Sequence, residues 1–203
     1  MRRTLVALLA VVLCAATVLA GPKFLAVWKA PDVARLNFAG KKVAALVMAE
    51  DQSLEMSAEE SLVRQLNARG VNGIATYRIV PREELHSAEK AKPWFERAGV
   101  AGVVAFRLVN RDVEKSYTPA VWSSSYYQTF WGYYSYGWSG LYIPGSSHES
   151  TTIVVETLVF SLTDDKLLWA ATSETKDPKT LQTFVADLVE ASVNEMKKMK
   201  LVG

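Results

Sequence analysis

Two histidines, His86 and His148, and one cysteine, Cys14, are all the imidazole and thiol that the 203 residues contain. The histidines lie in different regions, and neither has a second His at ligand spacing. No metal site is therefore expected and no cofactor is assigned. His148-Glu149 beside serines suggests a triad fragment, yet adjacent residues of a strand point to opposite faces. Gly137-Trp138-Ser139-Gly140 lacks the glycine spacing of a nucleophile elbow. Asp164-Asp165 could pair as carboxylates, but between two strand-like runs they read as a solvated turn. There is no glycine-rich phosphate loop, and no residue is assigned a catalytic role.

The unusual chemistry is aromatic. From Ser116 to His148 no Asp, Glu, Lys or Arg occurs, and this stretch holds Tyr117 and the ten rings Trp122, Tyr126, Tyr127, Phe130, Trp131, Tyr133, Tyr134, Tyr136, Trp138 and Tyr142. That is 11 of the chain's 21 aromatic residues, interleaved with Ser and Gly, and neither the strand nor the helix period fits them. Two readings stand side by side. The segment is a loop whose rings pack on each other or on the sheet, or those ten rings form an adhesive binding surface. Tyr and Trp suit the second, each an apolar body with a polar tip and few rotamers to lose. The candidate partners are an envelope protein, a glycan or the membrane interface. Without cations the loop has nothing to pair with phosphate, so nucleic acid and strongly anionic lipid are excluded there.

The first residues give an address. Met1-Arg2-Arg3 precedes the apolar run Leu5–Leu13 and then Val18-Leu19-Ala20, the pattern of a secretory signal peptide cleaved after Ala20. Leu5–Leu19 falls short of the ~20 residues that span a bilayer. Cys14 lies inside that run, and Leu13 stands where lipid attachment requires a small residue. The expected location is the periplasm or cell envelope. Without Arg2 and Arg3, basic and acidic residues balance at 21 each, so no broad positive field for nucleic acid exists.

A single α/β domain should position these groups: 1–20 leader, 21–40 extended lead-in, 41–203 domain with the insertion at 116–148. Val43–Ala49 predicts a buried strand, Ser57–Arg69 an amphipathic helix opened by a Ser57/Glu60 capping box, and Ile74–Val80 a second strand. Lys92–Ala98 reads as a short helix stopped by Gly99. Val103–Val109 is the third strand, continuing toward Glu114. Thr151–Ser161 and Leu167–Thr175 form a hairpin, and Asp177-Pro178 opens a long final helix. The order is β-α-β-α-β-(aromatic loop)-β-β-α, a mixed sheet of about five strands with three helices. Arg78, Arg107 and Glu156 fall mid-strand, where Glu156 either pairs with an arginine across strands or joins a charged site on an open face.

Several motifs resemble a family of bacterial cell-envelope proteins, many of them lipoproteins, with a Tyr/Gly-rich insertion. They are Trp28-Lys29-Ala30-Pro31, the helix ending Val63–Gly70, Thr118-Pro119 before the aromatic stretch, Glu156-Thr157, Lys166–Trp169 and Ser173-Glu174-Thr175. The chain departs from that family at Leu13. The resemblance implies export and an α/β domain, and brings no activity, ligand or catalytic residue. The first reading is a non-enzymatic envelope protein binding through its aromatic loop. The second is a lipid-anchored accessory subunit of an envelope assembly in which that loop is only structural, and an enzyme of unknown class is third.

Overall fold

A computed structural model describes residues 21–109, 122–139, 141 and 152–202. The described elements are β1 (Lys23–Lys29), β2 (Lys42–Met48), α1 (Gln52–Asn67), β3 (Asn72–Ala75), α2 (Ala88–Ala98), β4 (Gly102–Val109), α3 (Ser125–Gln128), α4 (Phe130–Gly137), β5 (Thr152–Ser161), β6 (Lys166–Lys176) and α5 (Leu181–Lys198). One mixed sheet runs β1-β6-β5-β4-β2-β3. β2 pairs in parallel with both β3 and β4, and the remaining pairs are antiparallel. The α/β class and mixed sheet stand as expected, with six strands. The added strand is β1, inside the segment read as an extended lead-in, where it pairs with β6 along one edge.

Residues 43–48 are buried on both faces of the sheet, which is why β2 carries no polar alternation. Along β2 and β4, side chains alternate between two cores. Ala44, Leu46, Met48, Val103 and Ala105 face α2, α3 and α4, whereas Val43, Ala45, Val47, Phe106 and Leu108 face α1 and α5. The result is three layers, helix–sheet–helix.

Several element boundaries differ from the sequence reading. Helix α1 starts earlier, because the Asp51 carboxylate accepts from Leu54 N at 2.8 Å and caps the helix before Ser57 is reached. Ser57 and Glu60 are therefore interior. β3 stops at Ala75 and Thr76–Arg78 turns as a 3-10 helix, so the expected strand to Val80 does not form. The Glu59 side chain supplies what the lost strand would have given: it accepts from Val47 N at 3.1 Å and Tyr77 N at 2.9 Å. Ser87 caps α2, and Gly99 ends it in the left-handed conformation at φ 66°. The cap of α5 is Thr180 rather than Asp177. Asp177 instead adopts φ 46° in the turn after β6.

Candidate functional site

The aromatic segment is not the irregular loop that its lack of period suggested. Its described part folds as α3 and α4; α4 is hydrophobic around most of its circumference because it is enclosed on most sides, whereas the single turn α3 buries Tyr127 and exposes Ser125, Tyr126 and Gln128. Trp122, Tyr127, Phe130, Tyr133 and Tyr134 are fully buried. Trp131, Tyr136 and Trp138 are half-buried against the same core, and only Tyr126, at 38% exposure, faces solvent. Tyr142 lies outside the described residues, as do Tyr117, Cys14 and the His148-Glu149 pair. The proposed ten-ring adhesive surface is thus corrected: most of these rings are core. They stack on Phe95 of α2 and Phe160 of β5, with Phe95–Phe130 centroids at 5.6 Å and Tyr133–Phe160 at 5.4 Å.

The buried rings enclose one ion pair. Arg107 on β4 stands directly opposite Glu156 on β5, and Nη1 meets the carboxylate at 2.9 Å. The other guanidinium donors reach the carbonyls of Gly137 at 2.8 Å and Ser139 at 2.7 Å. Tyr127 donates to the second Glu156 oxygen at 2.5 Å, Tyr133 approaches at 3.5 Å, and Tyr136 stacks on the guanidinium. This is the cross-strand pair that the sequence allowed, and it ties α4 to the sheet. Arg78 leaves the sheet for the 3-10 turn and pairs with Glu60 at 2.7 Å.

A second polar group lies beyond the end of β3. Glu55 and Glu59, one turn apart on α1, are both buried. Burial pushes the Glu59 carboxyl up to about 8 against two backbone N–H donors, and burial likewise raises Glu55 against the pull of Arg82 at 3.4 Å. Tyr134 donates to the Leu85 carbonyl, and burial raises its phenol. His86, stacked on Trp138 at 4.3 Å, is held below its ordinary value by burial and then by Arg82. Glu59 is engaged by the backbone, and among the described residues no Ser or Thr hydroxyl is bonded to these groups. Among the described residues, no three metal-ligating side chains converge.

The opposite face of the sheet holds a hollow. Six strands at about 4.8 Å spacing make a face wider than two helices of about 10 Å can cover. α1 and α5 leave a trough between them. Its main part measures about 710 Å³, with Val104, Phe106 and Val159 as floor, Leu62 and Leu66 on one wall and Val189 and Met196 on the other. Phe106 also borders a second hollow of about 250 Å³ at the N-terminal ends of both helices. Apart from Thr157, Ser192, Asn194 and the charged side chains at the mouth the lining is apolar, and the hydroxyls of Thr157 and Ser192 are themselves buried and have no partner among the described residues. Arg35, Arg69, Lys197 and Glu190 surround the mouth. No signal in the sequence marked this trough, since it joins four elements distant in the chain and uses residue types found in any core.

No protein-family model matches this chain, and no curated protein does. Among solved structures it is similar to the PelC dodecamer from Paraburkholderia phytofirmans, at 14% identity over 78% of this chain and 87% of that one, TM-score 0.41. It is also similar to Lipoprotein GNA1162 from Neisseria meningitidis, at 13% identity over 78% of this chain and 99% of that one, TM-score 0.41. Likenesses of this size concern the general arrangement of strands and helices. No helix among the described residues is long and apolar enough to cross a membrane.

Proposed function

We propose that this chain is a non-enzymatic binding protein of the cell envelope, and that it binds in the α1/α5 trough rather than through its aromatic rings. The observation carrying this reading is the half-open, mainly apolar trough of about 710 Å³ between α1 and α5. Its volume falls within the ~300–1,000 Å³ of small-molecule sites, and apolar walls with a few polar groups are what such sites use. The envelope address rests on the leader pattern of residues 1–20.

The test is titration with the apolar fluorophore N-phenylnaphthylamine. The wild-type protein is expected to enhance its emission saturably, and Val104→Trp, which fills the floor, is expected to abolish the enhancement. Equal enhancement by both proteins overturns the assignment.

The burial of the rings also favours the accessory-subunit reading, in which the aromatic segment is structural. Intact mass of the exported protein separates the two: a diacylated Cys14 supports a lipid-anchored subunit, and a free Gly21 terminus supports a soluble binding protein.

A further inference from the structure

The connection from β3 to α2 carries a device that does not depend on the trough. We infer that residues 76–82 form a strap held shut by protons: two buried carboxyls of α1 grip it, share one cation, and let it go when both ionise. Thr76–Arg78 and Arg82–Glu84 are 3-10 turns, and the first is set beside β2 by a bond from Thr76 Oγ1 to the Ala45 carbonyl at 2.7 Å. Pairing of β2 with β3 ends at Ala45 and Ala75. Beyond that point Glu59 stands between β2 and the strap, one oxygen accepting from Val47 N at 3.1 Å and the other from Tyr77 N at 2.9 Å. One helical turn earlier Glu55 is equally buried. Its Oε2 meets Arg82 Nη1 at 3.4 Å, and its Oε1 has no partner among the described residues.

Charged and titratable groups reach this pair from several elements. α1 adds Glu60, which is occupied by the Tyr77 hydroxyl at 2.6 Å and Arg78 at 2.7 Å. α4 brings Tyr134, a phenol that burial keeps protonated and that donates to the Leu85 carbonyl. His86, exposed and stacked on Trp138, faces Arg82 and Glu50. β2 contributes none, since Val43–Met48 are apolar. Arg82 is thus the one cation within ion-pair distance of either carboxyl among the described residues. Only one of the two can then ionise in place without leaving a buried charge uncompensated. Burial accordingly holds the Glu59 carboxyl at about 8 despite its two N–H donors, and raises Glu55 against the pull of Arg82. Opening the strap admits water to Glu59, which then ionises near its ordinary 4.5. Opening therefore releases a proton, and it is favoured progressively as pH rises from about 4.5 to about 8.

The experiment is amide hydrogen exchange of the whole chain followed by NMR from about pH 5 to about pH 8, each rate divided by the intrinsic rate at that pH. Protection of the Val47 and Tyr77 amides is expected to fall by up to about tenfold per pH unit. At every pH these two amides should be less protected than Val104 and Leu158 of the central strands β4 and β5. They should also be insensitive to about 1 M urea, the mark of an opening smaller than global unfolding. Glu59→Gln should flatten the fall. Arg82→Gln, at an exposed side chain, should steepen it, because Glu55 then also keeps its proton to higher pH. Protection of Tyr77 that does not change with pH, or that falls equally in Glu59→Gln, overturns the proton latch. Equal protection and equal urea sensitivity in strap and strand amides overturn the separate opening of the strap. An unchanged slope in Arg82→Gln overturns the shared cation.

Discussion

The two faces of the sheet are finished in different ways. On the α2–α4 face rings fill the core and leave a hollow of about 200 Å³ beside Phe95 and Trp131, and the buried hydroxyls of Tyr127 and Tyr134 reach an acceptor, Glu156 Oε1 and the Leu85 carbonyl. On the α1/α5 face, two helices cover a six-stranded sheet with mostly aliphatic side chains and a trough remains, while the buried hydroxyls of Thr157 and Ser192 have no partner among the described residues. The face that looks sticky in the sequence is thus the closed one, and the face of ordinary residues is the open one. Aromatic content measures how much volume a segment can fill. Whether that volume is filled from within or offered to a ligand is decided by the topology.

The largest effect expected from disturbing this contrast is on the closed face. Glu156→Leu strands Arg107 in the core without its carboxylate, and the expected loss is about 3–5 kcal/mol by urea unfolding. Next comes pH. The folded-state pKa of Glu59, about 8, lies above its ordinary 4.5, so the folded protein holds a proton that the unfolded chain releases. Stability is then fully present below about pH 4.5 and falls as pH rises through about 8. Its slope from this one group reaches at most about 1.4 kcal/mol per pH unit. Glu55, raised in the same direction, adds to the fall. Unfolding midpoints across that range should flatten in Glu59→Gln, which also starts less stable because an amide cannot accept from both Val47 N and Tyr77 N.

Deleting one hydroxyl from each face sharpens the comparison further. Tyr127→Phe removes a donor from buried Glu156 and should cost about 1–3 kcal/mol. Thr157→Val removes a hydroxyl that bonds to nothing among the described residues and should stabilise the ligand-free chain by about 1 kcal/mol. A loss at both sites, read by urea titration, would erase the distinction between the faces. The smallest effect is at Tyr126, whose exposed ring should change stability by no more than about 0.5 kcal/mol when replaced by Ala. Retention of Tyr126→Ala on envelope fractions then reports whether the one exposed ring of the described segment contacts a partner.

How much of this was legible in the sequence depends on the kind of signal. β2 was readable because six consecutive apolar residues admit few alternatives, and the Arg107–Glu156 pair because charges rarely sit mid-strand without a partner. The start of α1 was misplaced because Asp51 and Ser57 are both good caps, and only the fold shows which one receives an amide. The end of β3 was hidden because its replacement, Glu59, comes from another element. α4 escaped notice because a helix enclosed on most sides has no polar stripe, so the 3.6-residue period vanishes along with the charges, and α3 because a turn of four residues is too short to show a period. The trough was invisible for a different reason: Val104, Thr157, Ser192 and Arg35 acquire a shared meaning only when the sheet order sets β4 and β5 beneath the gap between two helices.

The most direct test of the central claim is the thermal midpoint of wild type and Val104→Trp, each with and without N-phenylnaphthylamine. At about a hundredfold excess over the dissociation constant, ligand binding adds about 2.7 kcal/mol, which for a chain of this size raises the midpoint by about 5–10 °C. The account expects that rise in the wild type and none in Val104→Trp. A wild-type midpoint that does not move, or an equal rise in both proteins, would contradict it.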